Sequence, residues 1–195
     1  MYLVCSSPLA RLGVIKIGYV LAFDIGAENR AGLTCPAGVE VRELRHDEAR
    51  NLAARREGWF FPQAVDESLS RGDRCFAVLV DGVVACSNWC SVQPLSQFGL
   101  LLKPPRDGFF EHRLFTTPEF RGRRLQALLR EFVMEVHSAE GYRWYLNTMY
   151  STNSSSLRAA FKLGFRRVGT IILLGPDSWG LKRLINARNP VVEVL

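Results

Sequence analysis

The sequence predicts a mixed α/β protein whose central sheet is partly antiparallel, partly parallel and flanked by helices. Three observations predict it. Cys75 to Val80 and Val83 to Cys90 are two β-rich runs joined by Asp81-Gly82, a turn pair that suits an antiparallel hairpin. Leu125, Leu128, Leu129, Phe132, Val133 and Val136 recur at helical spacing, an amphipathic stripe that Gly141 ends. Beyond it strand and helix patterns alternate, which requires crossover connections between parallel strands.

The remaining elements follow in chain order. Val14 to Leu21 reads as one or two β-strands, and Ala27 to Gly38 as a polar link holding two Gly and one Pro. Residues 1–38 are therefore expected to form an N-terminal extension whose strands lie on a main domain of residues 39–195. Val39 to Leu44 alternates as a half-buried strand, and His46 to Glu57 reads as a helix opened near Asp47. Pro62 to Ser70 is a second helix, followed by the hairpin. Ser91 to Pro105 reads as loop. Phe109 to Thr116 is a strand stopped by Pro118, Tyr142 to Tyr150 another, Asn153 to Leu163 a short helix, and Phe165 to Leu174 a final strand.

Apolar residues make up 48% and charged residues 23% of the 195, which excludes disordered, collagen-like and coiled-coil classes. A chain of this length buries roughly 70% of its unfolded surface and needs no covalent staples. With 25 Lys+Arg against 19 Asp+Glu the formal charge is +6, which favours anionic partners without choosing among them. The five cysteines are irregularly spaced and the three histidines are unpaired, so free thiols and no metal site are expected. Gly13 to Phe23 is too short to span a bilayer and is interrupted by Lys16. A cytoplasmic protein without a transmembrane segment is the expectation.

The most informative stretch is Leu114 to Leu129, where a strand runs into Pro118, a basic turn follows and a strong helix begins at once. The free N–H groups and positive dipole end of that helix suit phosphate. Arg121, Arg123 and Arg124 add cations where the dipole disfavours them, so a compensating anion is implied. A solvated basic surface loop is the plain alternative. One strand downstream, Asn153 is a good helix cap and Gly164 suits a left-handed C′ position.

Pro118-Glu-Phe-Arg-Gly-Arg-Arg-Leu-Gln126 and Asn153-x-x-Ser156…Lys162-Leu-Gly-Phe165, in this order, resemble the two acyl-CoA elements of the GNAT N-acetyltransferase superfamily. The resemblance covers Val39 to about Leu174. Arg124 and Gln126 depart from it, standing where that family usually has glycine or alanine. It implies a GNAT-like fold and transfer of an acyl group from acetyl-CoA or another acyl-CoA to the amine of a small molecule, an amino sugar being one such acceptor. Leu114, Phe115, Thr116, Arg121, Gly122, Arg123, Arg124, Leu125, Gln126, Ala127, Asn153 and Ser156 would then bind the acyl-CoA. The pantetheine would lie between the splayed strand ends 114–116 and 145–150.

The family tyrosine that protonates the departing thiolate falls at Ala160, so Tyr150 is the nearest hydroxyl to stand in for it. Glu111 and His112 are neighbours on the cofactor strand, where the family carries a general base. Strand neighbours point to opposite faces, and Glu111 is preferred because a carboxylate also attracts a cationic amine. Trp59 to Phe61 are candidate acceptor contacts. A catalytically inactive acyl-CoA-binding module is the alternative function. The scattered arginines match no nucleic-acid motif, so no nucleic-acid partner is expected; a homodimer is left open.

Overall fold

The computed structural model describes residues 15–27, 34–55, 60–174, 181–185 and 192–194. The strands are β1 (Ile15–Asp24), β2 (Val39–Glu43), β3 (Arg74–Val80), β4 (Val83–Ser91), β5 (Leu95–Gln97), β6 (Leu100–Lys103), β7 (Gly108–Thr116), β8 (Trp144–Tyr150), β9 (Arg166–Leu174), β10 (Leu181–Ile185) and β11 (Glu193–Val194). The α-helices are α1 (His46–Ala54), α2 (Pro62–Ser70), α3 (Leu125–Ala139) and α4 (Ser154–Lys162). An eight-stranded sheet runs in the order β10-β9-β1-β8-β7-β4-β3-β2, and a three-stranded sheet in the order β11-β6-β5. The β7–β8 pair is parallel, and the neighbouring β4–β7 and β1–β8 pairs are antiparallel.

Strand periodicity divides the apolar residues between the two faces. Leu21 and Phe23 of β1 join Phe109, Tyr145, Leu129, Val133, Leu157 and Phe165 in a core beneath α3 and α4. Val20 and Ala22 point the other way, to Phe110, Leu146, Leu95 and Leu102, beneath the small sheet. Further along that second face, α1 and α2 cover Cys75, Ala77, Leu79 and Trp89.

Strand β1 corrects the expected extension. It is an interior strand of the main sheet, antiparallel to both β8 and β9. The reason lies in Val20-Leu-Ala-Phe23, whose side chains are buried on both faces, as only an interior strand requires. Residues 1–14 lie outside the described residues. The stretch expected as loop holds the β5–β6 hairpin. Its turn is Phe98-Gly99, with φ of 52° and 73°, the left-handed pair of a tight hairpin. A phenylalanine is not a turn-signalling residue, so the hairpin gave no sign in the sequence.

Gly164 closes α4 at φ 94°, and a Cβ there would stand 2.9 Å from a ring carbon of Phe23. Backbone conformation and close approach both demand glycine. Gly164→Ala is expected to lower stability by about 1–3 kcal/mol, combining left-handed strain with overpacking. Urea unfolding would register it as a lower midpoint at unchanged slope.

Candidate functional site

The strands β7 and β8 are paired from Gly108↔Trp144 to Glu111↔Asn147 and no further. Beyond that rung β7 stays with β4 as far as Thr116↔Cys86, while β8 stays with β1 as far as Tyr150↔Gly18. The sheet therefore splits between residues 112–116 and 148–150. Two irregularities bend β7 away. The β4–β7 register shifts between Ser87 and Trp89, and Arg113 adopts φ 55°. A bulge of this kind bends its strand and re-aims side chains.

Two cavities open at the split. One, of about 790 Å³, lies between the end of β7, the start of α3 and α4. Leu114, Phe115, Thr116, every residue from Arg121 to Ala127, and Ser156 line it. The other, of about 510 Å³, is lined by Glu67, Arg71, Leu95 to Gln97, Glu111 to Leu114, Asn147 to Met149 and Asn153. Leu114, Gln126, Arg130 and Ser156 belong to both, so the two meet at the split. The residues expected to bind acyl-CoA thus converge on one joined cleft.

The basic turn shows how the chain manages without the usual glycines. Gly122 has φ 78° and Arg124, the residue that opens α3, has φ 61°. An arginine thus holds a left-handed conformation that glycine takes without strain, at about 1–2 kcal/mol. Alternating left-handed residues turn successive N–H groups toward one side, an anion-binding concavity. No side chain caps the start of α3 and no acid occupies its first turn, so its leading amides keep their positive field. Gln126 spans to β7 instead, its Nε2 donating to Thr116 Oγ1 at 3.1 Å. Arg121 Nε donates to the Thr116 carbonyl at 3.3 Å. Asn153 caps α4, its Oδ1 accepting from the Ser156 amide at 3.3 Å.

Glu111, expected as the base, is the hub of a buried cluster. Its side chain is fully enclosed and paired with the equally buried Arg130, Nη2 to Oε2 2.6 Å. Asn88 Nδ2 donates at 2.9 Å, the Tyr145 hydroxyl at 2.6 Å, and Asn147 Nδ2 adds a further bond. Burial by itself raises the Glu111 pKa, but the Arg130 charge and these donors together hold it below the usual carboxylate range. A carboxylate saturated by four donors is a poor proton acceptor. Burial lifts the Tyr145 pKa well above its ordinary value, so that hydroxyl stays a donor.

His112 faces the opposite side. Its Nε2 lies 3.0 Å from Asp73 Oδ2, and Asp73 is also held by Arg71, Nη2 to Oδ2 2.6 Å. Because an ionised carboxylate only accepts, Nε2 carries the proton and Nδ1 the lone pair. Burial depresses the His112 pKa against the opposing pull of Asp73, so the imidazole is neutral near pH 7. Asp73 precedes β3, and nothing in its Arg71-Gly-Asp turn advertised a partner for a histidine on β7.

The ring of Tyr150 lies 4.4 Å from that of Phe98, and Tyr150 lines neither cavity. Ala160 is buried in the core. Trp59 falls outside the described residues, Phe60 is buried beneath α1 and α2, and Phe61 is exposed. Cys75, Cys86 and Cys90 are buried free thiols and Cys35 an exposed one. Among the described residues no cluster could hold a metal ion, and no helix is long and apolar enough to cross a membrane.

Two outcomes are expected. Glu111→Ala or Arg130→Ala, each leaving an unpaired buried charge, should cost about 3–5 kcal/mol in urea unfolding. His137 is buried against Phe109, its Nδ1 donating to the Val133 carbonyl at 2.8 Å, and burial lowers its pKa as it does that of His112. Groups with depressed folded pKa stabilise above the unfolded value of about 6.5 and lose that contribution as pH falls. Stability should therefore drop between pH 7.5 and 5, and His137→Phe should flatten the drop.

No protein-family model and no curated protein matches the chain. Solved structures do. A putative GNAT-family acetyltransferase from Novosphingobium aromaticivorans aligns over 81% of this chain and 62% of its own, at 20% identity and TM-score 0.55. A GCN5-related N-acetyltransferase from Sphaerobacter thermophilus aligns over 83% and 52%, at 13% identity and TM-score 0.59. AAC(6')-Iy, in complex with a bisubstrate analog of CoA and acetylneamine, aligns over 66% and 91%, at 19% identity and TM-score 0.53. The chain spans about half to two thirds of the length of the first two. With its split parallel pair and mixed sheet, the chain has the GNAT fold.

Proposed function

We propose that this chain is an acyl-CoA-dependent N-acyltransferase acting on the amine of a small molecule. The observation that carries the reading is the cleft at the β7–β8 split, where an uncapped helix start and a buried His–Asp pair serve two joined cavities. In this reading the 121–127 turn and Ser156 hold the diphosphate and pantetheine portions of the acyl-CoA. The cavity suits that group: Arg121, Arg123, Arg124 and Lys162 line it, together with the uncapped start of α3. Acetyl-CoA or a longer acyl-CoA would supply an acyl group activated as a thioester.

We assign the proton-accepting role to His112 rather than Glu111. The neutral imidazole, oriented by Asp73, takes a proton from the attacking amine at Nδ1. As the C–N bond forms and the C–S bond breaks, that proton can pass to the departing sulfur. A main-chain N–H of Leu114 or Phe115, whichever faces the parting of the strands, is suited to polarise the thioester carbonyl. Arg130, at the junction of both cavities, has its charge matched by Glu111 and serves to brace the wall. Glu111 positions Arg130 and the split rather than touching the acceptor. Ala160 leaves no tyrosine at the family's thiolate position, the specific feature that keeps an acyl-CoA-binding module as the second reading.

Calorimetry with CoA and thiol release with a panel of amines test this. Arg121→Glu should weaken CoA binding about tenfold or more, and Asn153→Ala less. His112→Gln should leave CoA affinity near wild type while lowering acceptor-dependent thiol release by about 10²–10⁴-fold. CoA binding without acceptor-dependent release would favour the binding module. Unchanged affinity in Arg121→Glu and Asn153→Ala alike would overturn the site itself.

A further inference from the structure

The 510 Å³ cavity is the acceptor side of the cleft in the reading above, and its charges are unequal in availability. The carboxylate of Glu111 is spent on Arg130, Asn88, Tyr145 and Asn147. Asp73 is fully buried behind the wall, spent on Arg71 and His112. Glu67, half exposed at the rim, is the carboxylate left to face the cavity among the described residues. Against it stand two guanidinium groups. Arg71 gives Nε and Nη2 to Asp73, and among the described residues no hydrogen bond engages its Nη1. Arg113 reaches Glu67 at 3.6 Å, an ionic contact longer than a hydrogen bond.

Arg113 also carries a backbone cost. At φ 55° it occupies a conformation that glycine or asparagine adopts more readily, and it does so on the bulge beside His112. Strain of this kind persists where surrounding structure or function retains it. Its side chain is about two-thirds buried, and burial, with Arg71 nearby, pulls the guanidinium pKa down from its usual value. A desolvated cation with a loose partner has hydrogen-bonding capacity to offer, and a guanidinium matches planar or tetrahedral oxyanions.

We infer that the acceptor carries an anionic oxygen group beside its reacting amine, and that Arg113 and Arg71 bind that group while His112 receives the amine. Glu67 holds Arg113 in place until the anion arrives. The same charges disfavour polycationic acceptors, which would meet Arg71 and Arg113 with Glu67 as their single counter-charge. This inference rests on the acyltransferase reading for the identity of the amine-bearing molecule, but the anion site can be probed without turnover.

Paired probes decide the matter: amino acids against their decarboxylated amines, and glucosamine against glucosamine 6-phosphate. Thiol release from acetyl-CoA and direct calorimetry are both read. The anionic member of at least one pair is expected to have a kcat/KM at least tenfold higher, and the pair that responds identifies carboxylate or phosphate as the group. Arg113→Gln should erase most of that preference, and Glu67→Gln should enlarge it. Equal or greater activity with the members lacking the anionic group, or with polyamines, would overturn the anion site while leaving the acyltransferase reading intact. If no probe releases thiol, the acyltransferase reading fails. Calorimetry then judges the anion site alone: binding of an anionic member that Arg113→Gln abolishes supports it, and absence of such binding overturns it.

Discussion

The buried Glu111–Arg130 pair sits on the last rung at which β7 and β8 remain hydrogen-bonded, and the cleft depends on that position. Removing two charges from water is expensive, and such a pair is tolerable only when further donors complete its hydrogen bonding. Here Asn88, Tyr145 and Asn147 supply them from three different strand positions. The cluster therefore ties β4, β7, β8 and α3 together at one point. Below it the sheet is continuous; above it the strands are free to part. The charge pair is better understood as fixing where the sheet opens than as adding net stability.

What lies on each side of that point follows from strand alternation. Glu111 faces α3 and His112 faces Asp73 on the other side, so one residue step separates the structural ion pair from the His112–Asp73 pair. The bulge at Arg113 then breaks the alternation and keeps its guanidinium with Glu67 of α2, on the same side as His112. Leu114 resumes the turn toward the helices and contributes to both cavities. Four consecutive residues of β7 thereby distribute an anchor, a buried imidazole paired with Asp73, a cation and a shared wall. No other arrangement of the same sequence on a straight strand would do so.

The 121–127 turn shows a different solution to a backbone problem. Where glycine would be expected, Arg124 accepts left-handed strain, and Gln126 spends its side chain bracing β7 through Thr116. The amides at the start of α3 remain uncapped as a result. Local strain and an unsatisfied dipole coexist beside four cationic side chains, and an anion is the partner that would relieve all of these at once.

Much of this was already in the sequence. Local periodicity determines the hairpin, the stripe of α3, the capped α4 and the mixed sheet, because those patterns depend on neighbours a few residues apart. The motif residues around 114–127 and 153–165 were legible for the same reason, and among them Leu114 to Thr116, Arg121 to Ala127, Asn153 and Ser156 line the two cavities. The rest depended on contacts between distant segments. That β1 is an interior strand required knowing what covers both its faces. The β5–β6 turn hid behind a phenylalanine at positive φ whose ring packs against Tyr150 and Gly18. The surroundings of Glu111 and His112 depended on partners at Arg130 and Asp73, 19 and 39 residues away. Sequence spacing reports the direction of a side chain from its own strand, but its charge state is set by whatever the fold brings against it.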